Sequence, residues 1–339
     1  MLSTALSALP GSGVLTSIPS PPVSTFTVGP FTIHYYALCI IAGIIAAVVL
    51  TNHRLTRRGA EPWVVIDISL VAVPLGIIGA RIFHVLTHPG FYFGPGTNPW
   101  AVFYIWEGGI AIFGALIGGA VGAWLGCRWT GIRFWTFADA LAPGLIIAQA
   151  LGRFGNWFNQ ELFGLPTDVP WGLEIDSSNP AFPPGLEPGT LFQPTFLYEV
   201  IWNLLGAAVI VWAGRKFRLQ WGRTFAIYLI WYGAGRIVWE SIRIDPSEIY
   251  FGLRTNVWAA IGAVILGIGI FFVQKRRHPG FEASPYVAGR EWHPKGAVDS
   301  EDSTDFVDVS PPPASEELTS ATSGATATST GPSGEKSLS

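Results

Sequence analysis

The amino-acid sequence predicts an all-α polytopic membrane protein with seven transmembrane helices, its N-terminus outside and its C-terminus in the cytoplasm. Three observations support this fold class. Half of the 339 residues are hydrophobic and only 13% are charged, whereas a soluble domain carries about 25% charged residues. Seven mostly apolar segments each approach the roughly 20 residues that a spanning helix needs. The basic residues fall in alternate connections between these segments.

The apolar segments are separated by stretches that are too polar, or too rich in Pro and Gly, to cross a bilayer. The segment 153–197 is one of them, and it predicts a small extracytoplasmic head between the fourth and fifth helices. Residues 1–30 are expected to form an outer N-terminal segment, and residues 31–275 the seven-helix transmembrane domain. The predicted spans are residues 31–51, 64–86, 108–126, 135–152, 198–214, 224–243 and 255–274.

The distribution of Lys and Arg sets the predicted orientation. Segments 1–30, 87–107 and 154–197 contain neither residue. Basic residues are enriched on the cytoplasmic side of membrane proteins, so these three segments are predicted to lie outside. The basic residues follow the first, third, fifth and seventh spans: Arg54, Arg57 and Arg58; Arg128 and Arg133; Arg215, Lys216, Arg218 and Arg223; Lys275, Arg276 and Arg277.

The C-terminal segment 279–339 differs in composition from the rest of the chain. It holds ten of the 23 acidic residues and three of the 20 basic ones, which leaves residues 1–278 with a net charge of +4. It is also rich in Ser, Thr and Pro. Such a segment cannot bury enough apolar surface to offset the entropy of ordering. We therefore expect a disordered acidic cytoplasmic tail.

Several ionisable residues lie inside the predicted spans, where each costs at least about 2.5–3.5 kcal/mol on insertion. Arg236, Glu240 and Arg243 are spaced i,i+4 and i,i+3 in the sixth span, so they share one helix face. Arg81 and Arg153 end the second and fourth spans on the same outer side. One interpretation is a set of structural ion pairs with arginines reaching towards lipid headgroups.

The other interpretation is a pocket for an anionic headgroup, and the convergence of four arginines at one depth favours it. Asn156, Asn159 and Glu161 follow Arg153 directly, and Tyr36 lies at the outer start of the first span. A guanidinium group matches the geometry of phosphate and stays charged when it is removed from water. The sequence therefore predicts that this outer pocket binds a phosphate-bearing ligand.

The stretch "GRFGNWFNQELFG", Gly152 to Gly164, resembles the signature of the bacterial phosphatidylglycerol:prolipoprotein diacylglyceryl transferases. Further segments resemble the same family in the expected order. They are "YYAL", "GARIFHV", "WEGGIAIFGALIGG", "QPTFLYE" and "YGAGRIVWESIR". The resemblance covers about residues 30–275. It implies a catalytic transmembrane domain that moves the diacylglyceryl group of phosphatidylglycerol onto a lipobox cysteine thiol, forms a thioether and releases glycerol phosphate.

The resemblance also implies roles for individual residues. Arg153 and Arg236 would hold the phosphate of phosphatidylglycerol. The expected catalytic residues are Arg236, Glu240, Arg153, Tyr36 and Glu161, and the expected substrate-binding residues are Arg153, Asn156, Asn159, Gly164, Arg243 and Arg81.

Two positions depart from the family pattern, because Phe113 and Gln193 stand where many members have histidine. A histidine general base is therefore absent at both places. Glu161, Glu240 or Tyr36 could accept the thiol proton, or the positive field of the arginines could suffice to lower the pKa of the thiol. These departures and the acidic tail suggest an actinobacterial subgroup.

The expected partners are phosphatidylglycerol, lipobox peptides of prolipoproteins and the lipid bilayer, with no nucleic acid, no metal and no organic cofactor. We expect a monomer in the bacterial plasma membrane, with its active site towards the outer leaflet. The main alternative is a transporter or flippase for an anionic solute or lipid, because intramembrane arginines also line transport paths. Transporters often contain inverted repeats with midplane sites. No repeated pair of segments is evident, and the charges lie near the outer side.

Overall fold

The computed structural model describes residues 17–293, and residues 17–292 belong to one compact unit. Seven long helices and one short helix build it. The helices are α1 (Tyr35–Thr56), α2 (Val64–Thr87), the short α3 (Gly90–Phe93), α4 (Ile112–Thr130), α5 (Phe134–Asn159), α6 (Thr195–Lys216), α7 (Arg223–Ile242) and α8 (Thr255–Arg277). Each predicted span coincides with one long helix.

Six of the long helices are long and apolar enough to cross a membrane, so the protein is a helical polytopic membrane protein. The helix outside this set is α7, which carries Arg223, Arg236 and Glu240 in 20 residues. Basic residues occupy the last turns of α1, α6 and α8. Positive charge at these positions also complements the negative end of the helix dipole.

The helices form antiparallel pairs around a central helix. The pairs are α1 with α5, α2 with α4, and α7 with α8, while α5 also packs on α6 and α7. Glycines allow the close approach of α2 and α4, because a Cβ atom on Gly114 would collide with the backbone of Gly79. As the central helix, α5 is the most buried of the six candidate spans.

Several helix boundaries differ from the predicted ones, and two of the differences affect the site. The predicted third span starts at residue 108, but Gly108 and Gly109 have φ of 91° and 72°, so α4 begins only at Ile112. The predicted fourth span ends at residue 152, but α5 continues to Asn159. Gln160 then ends the helix in the left-handed conformation, with φ of 51°. The polar motif after residue 152 is therefore mostly helical.

Short strands lie at one end of the bundle, named here the head end, which holds residues 17–34, 88–111, 160–194 and 243–254. They are β1 (Ser17–Ile18), β2 (Thr25–Val28), β3 (Phe31–His34), β4 (Gly172–Glu174), β5 (Leu191–Phe192), β6 (Ile249–Tyr250) and β7 (Leu253–Arg254). The order β1-β4-β5 forms one sheet, in which β1 is parallel and β5 antiparallel to β4. β2 with β3 and β6 with β7 form antiparallel pairs.

A separate apolar cluster underlies the sheet at the head end. Phe163, Leu173, Phe192 and Phe196 are buried in it, and Phe192 has no exposed surface. These residues come from segment 160–194 and from the first turn of α6. The segment therefore contributes most of a small apolar cluster of its own. The extracytoplasmic head stays a prediction.

The opposite end, named here the basic end, holds residues 57–63, 131–133, 217–222 and 278–292. The carboxylate of Glu282 accepts hydrogen bonds from the Thr136 hydroxyl at 2.8 Å and the Trp221 amide at 2.9 Å. Tyr286 is buried, and its hydroxyl accepts a 2.9 Å bond from the Glu61 amide. These contacts correct the predicted start of the tail at residue 279, because residues 279–292 pack on the bundle. The rest of the predicted tail lies outside the described residues.

Candidate active site

The last two turns of α5 carry the polar side chains of the signature motif. Nη1 of Arg153 donates to the side-chain carbonyl of Asn156 at 3.3 Å. The amide nitrogens of Asn156 and Asn159 donate to Oε1 of Glu161 at 2.8 and 3.3 Å. Glu161 can fold back onto the helix because Gln160 adopts a positive φ at the helix end. The motif is thus one hydrogen-bonded chain from Arg153 to Glu161.

Glu199, in the second turn of α6, connects this motif to α7. Its Oε2 lies 2.8 Å from Nη2 of Arg153 and 4.0 Å from Nη1 of Arg236. The Glu199 side chain is buried. A buried carboxylate between two guanidinium groups holds both in place, because losing either pair would leave charge uncompensated away from water. Glu199 therefore fixes the relative positions of Arg153 and Arg236.

Glu240 has no solvent exposure and is surrounded by four donors. Its Oε2 lies 2.9 Å from Nη2 of Arg236 and 3.3 Å from Nη1 of Arg243. Its Oε1 lies 3.2 Å from Nε of Arg254 and 3.0 Å from the side-chain nitrogen of Asn256. Both oxygens are occupied, so Glu240 orients Arg236 and ties α7 to the start of α8.

Arg243, just beyond the end of α7, makes a bidentate pair with Asp245 at 2.7 and 2.8 Å. Arg254 also contacts Asp245, at 3.1 Å. Burial opposes ionisation of both Arg243 and Asp245, but their hydrogen bonds and opposite charges outweigh it. The pKa of Arg243 is therefore raised and the pKa of Asp245 is lowered. The pair stays ionised.

The arginines differ in their access to open space. The side chains of Arg153 and Arg236 are each 16% exposed, whereas that of Arg243 is only 3% exposed. Arg243 and Arg254 are engaged by carboxylates and backbone carbonyls. Arg254 is 15% exposed, but its Nε, Nη1 and Nη2 all have partners. Arg153 and Arg236 therefore have the guanidinium groups best placed for an anion, and phosphate binding by this pair stays a prediction.

A cavity of about 380 Å³ opens beside Arg236, between α4, α5, α7 and α8. Its walls are mostly apolar and aromatic, with Phe113 and Leu116 on α4 and Tyr232 on α7. Asn256 lines it together with Arg236. A cavity that is apolar along its length and bears a guanidinium group suits an amphipathic anion.

Tyr36 and Arg81 lie in different surroundings from this network. The ring of Tyr36 packs against Gly155, on the turn of α5 that carries Arg153 and Asn156. The guanidinium of Arg81 donates to backbone carbonyls instead, which hold the connection before α4 against α2. Those carbonyls belong to Ala101, Val102, Gly108 and Gly109. Phosphate binding by Arg81 stays a prediction.

Gly164 and Gln193 have backbone and hydrogen-bonding roles beside the site. The Gly164 amide donates to the Gln193 carbonyl at 3.0 Å, and Gly164 also forms an isolated antiparallel β-bridge with Arg243. A Cβ atom on Gly164 would lie 2.8 Å from the Cβ of Gln193. The Gln193 side chain donates to Thr167 at 2.8 Å and accepts from Tyr198 at 2.6 Å. Gln193 is thus a structural link with both polar atoms engaged.

Sequence reasoning left out four residues that belong to the network. They are Glu199, Asp245, Arg254 and Asn256. A signal for Glu199 was available, because it is an ionisable residue near the start of an apolar span. Arg254 and Asn256 flank the start of α8, where a polar residue at a helix end is unremarkable. Their role becomes visible only when α8 packs on α7.

The bundle of apolar helices makes this chain a polytopic membrane protein, and a buried ionic network lies at one end of it beside an apolar cavity. Residues 23–273 match the family model described as prolipoprotein diacylglyceryl transferase. That match covers more than half of the chain, and the chain belongs to this family.

Curated relatives agree with the family match. The chain is 60% identical over 301 residues to the phosphatidylglycerol--prolipoprotein diacylglyceryl transferase of Leifsonia xyli subsp. xyli, covering 85% of this chain and 90% of the relative. It is 47% identical over 268 residues to phosphatidylglycerol--prolipoprotein diacylglyceryl transferase 2 of Streptomyces coelicolor, covering 79% of this chain and 84% of the relative. It is also 47% identical over 267 residues to the enzyme of Paenarthrobacter aurescens, covering 77% and 84%.

Proposed function

We propose that this chain transfers the diacylglyceryl group of phosphatidylglycerol to the lipobox cysteine of prolipoproteins. The observation that carries the proposal is the pairing of Arg153 and Arg236 through Glu199, with Arg236 lining an apolar cavity. The family and the names of its relatives supply the reaction class. The arrangement suits a phospholipid, because its phosphate can meet the arginines while an acyl chain enters the cavity.

The proposed topology places all seven long helices across the membrane, with the head end outside. α7 crosses despite its charges, because Arg236 and Glu240 neutralise each other within the bundle at 2.9 Å. The basic residues of the connections lie at the opposite end, as the positive-inside rule requires of the cytoplasmic side. The site then faces the outer leaflet, where a secreted prolipoprotein presents its lipobox.

In the proposed reaction, the sulfur of the cysteine attacks the glycerol carbon that bears the phosphate ester. A carbon–sulfur bond forms, the carbon–oxygen bond breaks, and glycerol phosphate leaves with the bonding electrons. Negative charge grows on the leaving phosphate oxygen. Arg153 and Arg236, already held by Glu199 and Glu240, stabilise that charge more strongly in the transition state than in the ground state.

Loss of the thiol proton needs an acceptor, and the geometry favours Glu161 over Glu240. Both oxygens of Glu240 are occupied by cationic or amide donors. In Glu161 the two amide donors share Oε1, and within residues 17–293 no donor is paired with Oε2. We assign Glu161 as the proton acceptor, assisted by the positive field that lowers the pKa of the bound thiol.

The test compares three single variants of the purified full-length protein. Arg153→Ala and Arg236→Ala should each lower transfer of labelled diacylglyceryl to a lipobox peptide by at least about 100-fold, the size of effect for one lost stabilising donor. Arg223→Ala is the matched control, because it removes an arginine at the other end of α7. Full activity in both site variants, with folding intact, would refute the phosphate-binding role.

A further inference from the structure

A second cavity, of about 940 Å³, lies near the basic end, between α1, α5 and α6. We name it the basal groove. Leu50, Ile147, Ala208, Val211 and Trp212 provide its apolar walls. These residues belong to faces of three helices that would meet the hydrocarbon of a bilayer. The apolar part of a ligand bound in the groove would therefore be in contact with the acyl chains of the surrounding bilayer.

The lining of the basal groove is also strongly basic. No carboxylate is among its lining residues, and the carboxylates of Asp139 and Glu282, two residues that contact Arg54 and Arg58, are already engaged. Asp139 accepts from the amides of Gly222 and Phe225, each at 2.9 Å, and Glu282 accepts from Thr136 and Trp221. The basic lining residues are Arg54, Arg57, Arg58, Arg215 and Lys216.

Two of these arginines have buried donors that no described residue satisfies. Nε of Arg54 and Nη1 of Arg58 are buried and lack a hydrogen-bond partner among residues 17–293. Arg58 is 3.8 Å from Glu282, which is an ion-pair distance without a hydrogen bond. Buried unsatisfied donors cost more when they are charged. These atoms are themselves buried, so a ligand in the groove would not contact them, but they leave positive charge uncompensated behind the groove, which favours an anion within it.

The basal groove is distinct from the candidate active site. Arg54 and Tyr36 lie 18 residues apart on α1, which corresponds to about 27 Å along a helix. That separation is close to the roughly 30 Å thickness of the hydrocarbon core. A lipid whose headgroup contacts Arg54 therefore lies in the opposite leaflet from a lipid whose headgroup contacts Arg153 and Arg236.

We infer that the basal groove binds an anionic phospholipid of the cytoplasmic leaflet, separate from the substrate. Its phosphate meets Arg54, Arg57 and Arg215, and an acyl chain lies along Ile147 and Val211. Basic pockets between membrane helices on the cytoplasmic side suit such headgroups. The combination of apolar walls and a cationic rim selects a whole lipid over a polar acidic peptide or a free anion. The assignment to the cytoplasmic leaflet rests on the proposed topology.

The test measures lipid binding by native mass spectrometry of the full-length protein in detergent. Every protein in the test carries Arg236→Ala, so that lipid binding at the candidate active site does not contribute to the signal. Titrants are phosphatidylglycerol, phosphatidylcholine with the same acyl chains, and glycerol phosphate. We expect one phosphatidylglycerol to bind in this background. We expect no comparable binding of the other two.

The diagnostic variant is Arg57→Gln with Arg215→Gln, because both side chains are exposed and their replacement leaves the core unchanged. We expect phosphatidylglycerol binding to weaken by at least about tenfold, since two charge-assisted contacts are removed. The matched control is Arg276→Gln with Arg277→Gln, which removes the same charge from the exposed end of α8. A second variant, Val211→Trp, fills the groove and should also displace the lipid.

Equal phosphatidylglycerol binding by the diagnostic variant and the control would overturn the inference. So would equal binding of phosphatidylcholine, which would indicate an apolar groove without headgroup recognition. Comparable occupancy by glycerol phosphate would instead define a bare anion site. Because every arm carries Arg236→Ala and none measures transfer, the result is independent of whether the proposed reaction is correct.

Discussion

Replacing Glu199 with Gln removes the charge that lies between Arg153 and Arg236 while keeping the shape of the side chain. The Arg153–Glu199 distance is 2.8 Å, and Arg236 lies 4.0 Å from the same oxygen. At an effective dielectric constant near 20, the closer pair has a gross attraction of about 6 kcal/mol. Loss of hydration offsets much of that attraction. Truncating one partner of a buried pair costs about 2–5 kcal/mol in total.

The free energy lost with this ion pair in Glu199→Gln should lower both the stability of the fold and kcat/KM. Without the carboxylate, Arg153 and Arg236 repel each other and lose their fixed separation. If about 2.7 kcal/mol of the loss falls on the transition state, kcat/KM decreases roughly 100-fold. The assay is steady-state transfer of labelled diacylglyceryl from phosphatidylglycerol to a lipobox peptide, with thermal unfolding measured in parallel.

The matched control for this change is Glu187→Gln, which neutralises an exposed carboxylate in the head. It should leave kcat/KM within a factor of two or so, as expected for a surface change away from special features. The reasoning is refuted if Glu199→Gln transfers at the wild-type rate with an unchanged midpoint of unfolding. In that case Glu199 would not hold the two arginines.

Three further predictions concern single positions around the site. Phe113→Ala should lower kcat/KM by roughly 10- to 200-fold without abolishing transfer, since Phe113 is a wall of the cavity and one pocket contact is worth about 1–3 kcal/mol; loss of all transfer in a folded variant would contradict this. Gly164→Ala should lower the midpoint of thermal unfolding, because its Cβ would lie 2.8 Å from that of Gln193; an unchanged midpoint would show that the neighbouring strand can move freely. Asp245 has a lowered pKa in the folded state, so the unfolded state binds more protons in acid and the stability from Asp245 is lost as pH falls below about 4. Thermal unfolding from about pH 3 to pH 6 should therefore depend less on pH in Asp245→Asn than in the wild type, and identical profiles would exclude that contribution.

Hydropathy was sufficient to predict where the six candidate spans lie, because a bilayer requires a similar apolar length of each. It could not locate the end of α5. The polarity after residue 152 was interpreted as the start of a loop, yet the helix continues to Asn159. Arg153 and Asn156 can remain helical because Glu199 and Glu161 satisfy them. Glu199 comes from another helix, and Glu161 reaches Asn156 only because the chain turns back at Gln160.

The contacts within the candidate site could be predicted where they are local in sequence, but not where they join distant parts of the chain. The spacing of Arg236, Glu240 and Arg243 correctly indicated that they lie together, since their ion pairs are local, although Arg243 lies just beyond the end of α7. Arg81 lies on the same side of the bundle by sequence, but its guanidinium is used by backbone carbonyls at Gly108 and Gly109. Backbone acceptors leave no signature in side-chain chemistry. Their contribution becomes clear only in the folded protein.

The central claim is tested most directly by incubating the purified protein with phosphatidylglycerol and a lipobox peptide and then analysing the peptide by mass spectrometry. The account predicts a cysteine that carries a diacylglyceryl thioether, with stoichiometric glycerol phosphate, and at least about 100-fold less product with Arg236→Ala. An unmodified peptide from folded wild-type protein, together with movement of a labelled anion into proteoliposomes, would contradict it and favour a transporter.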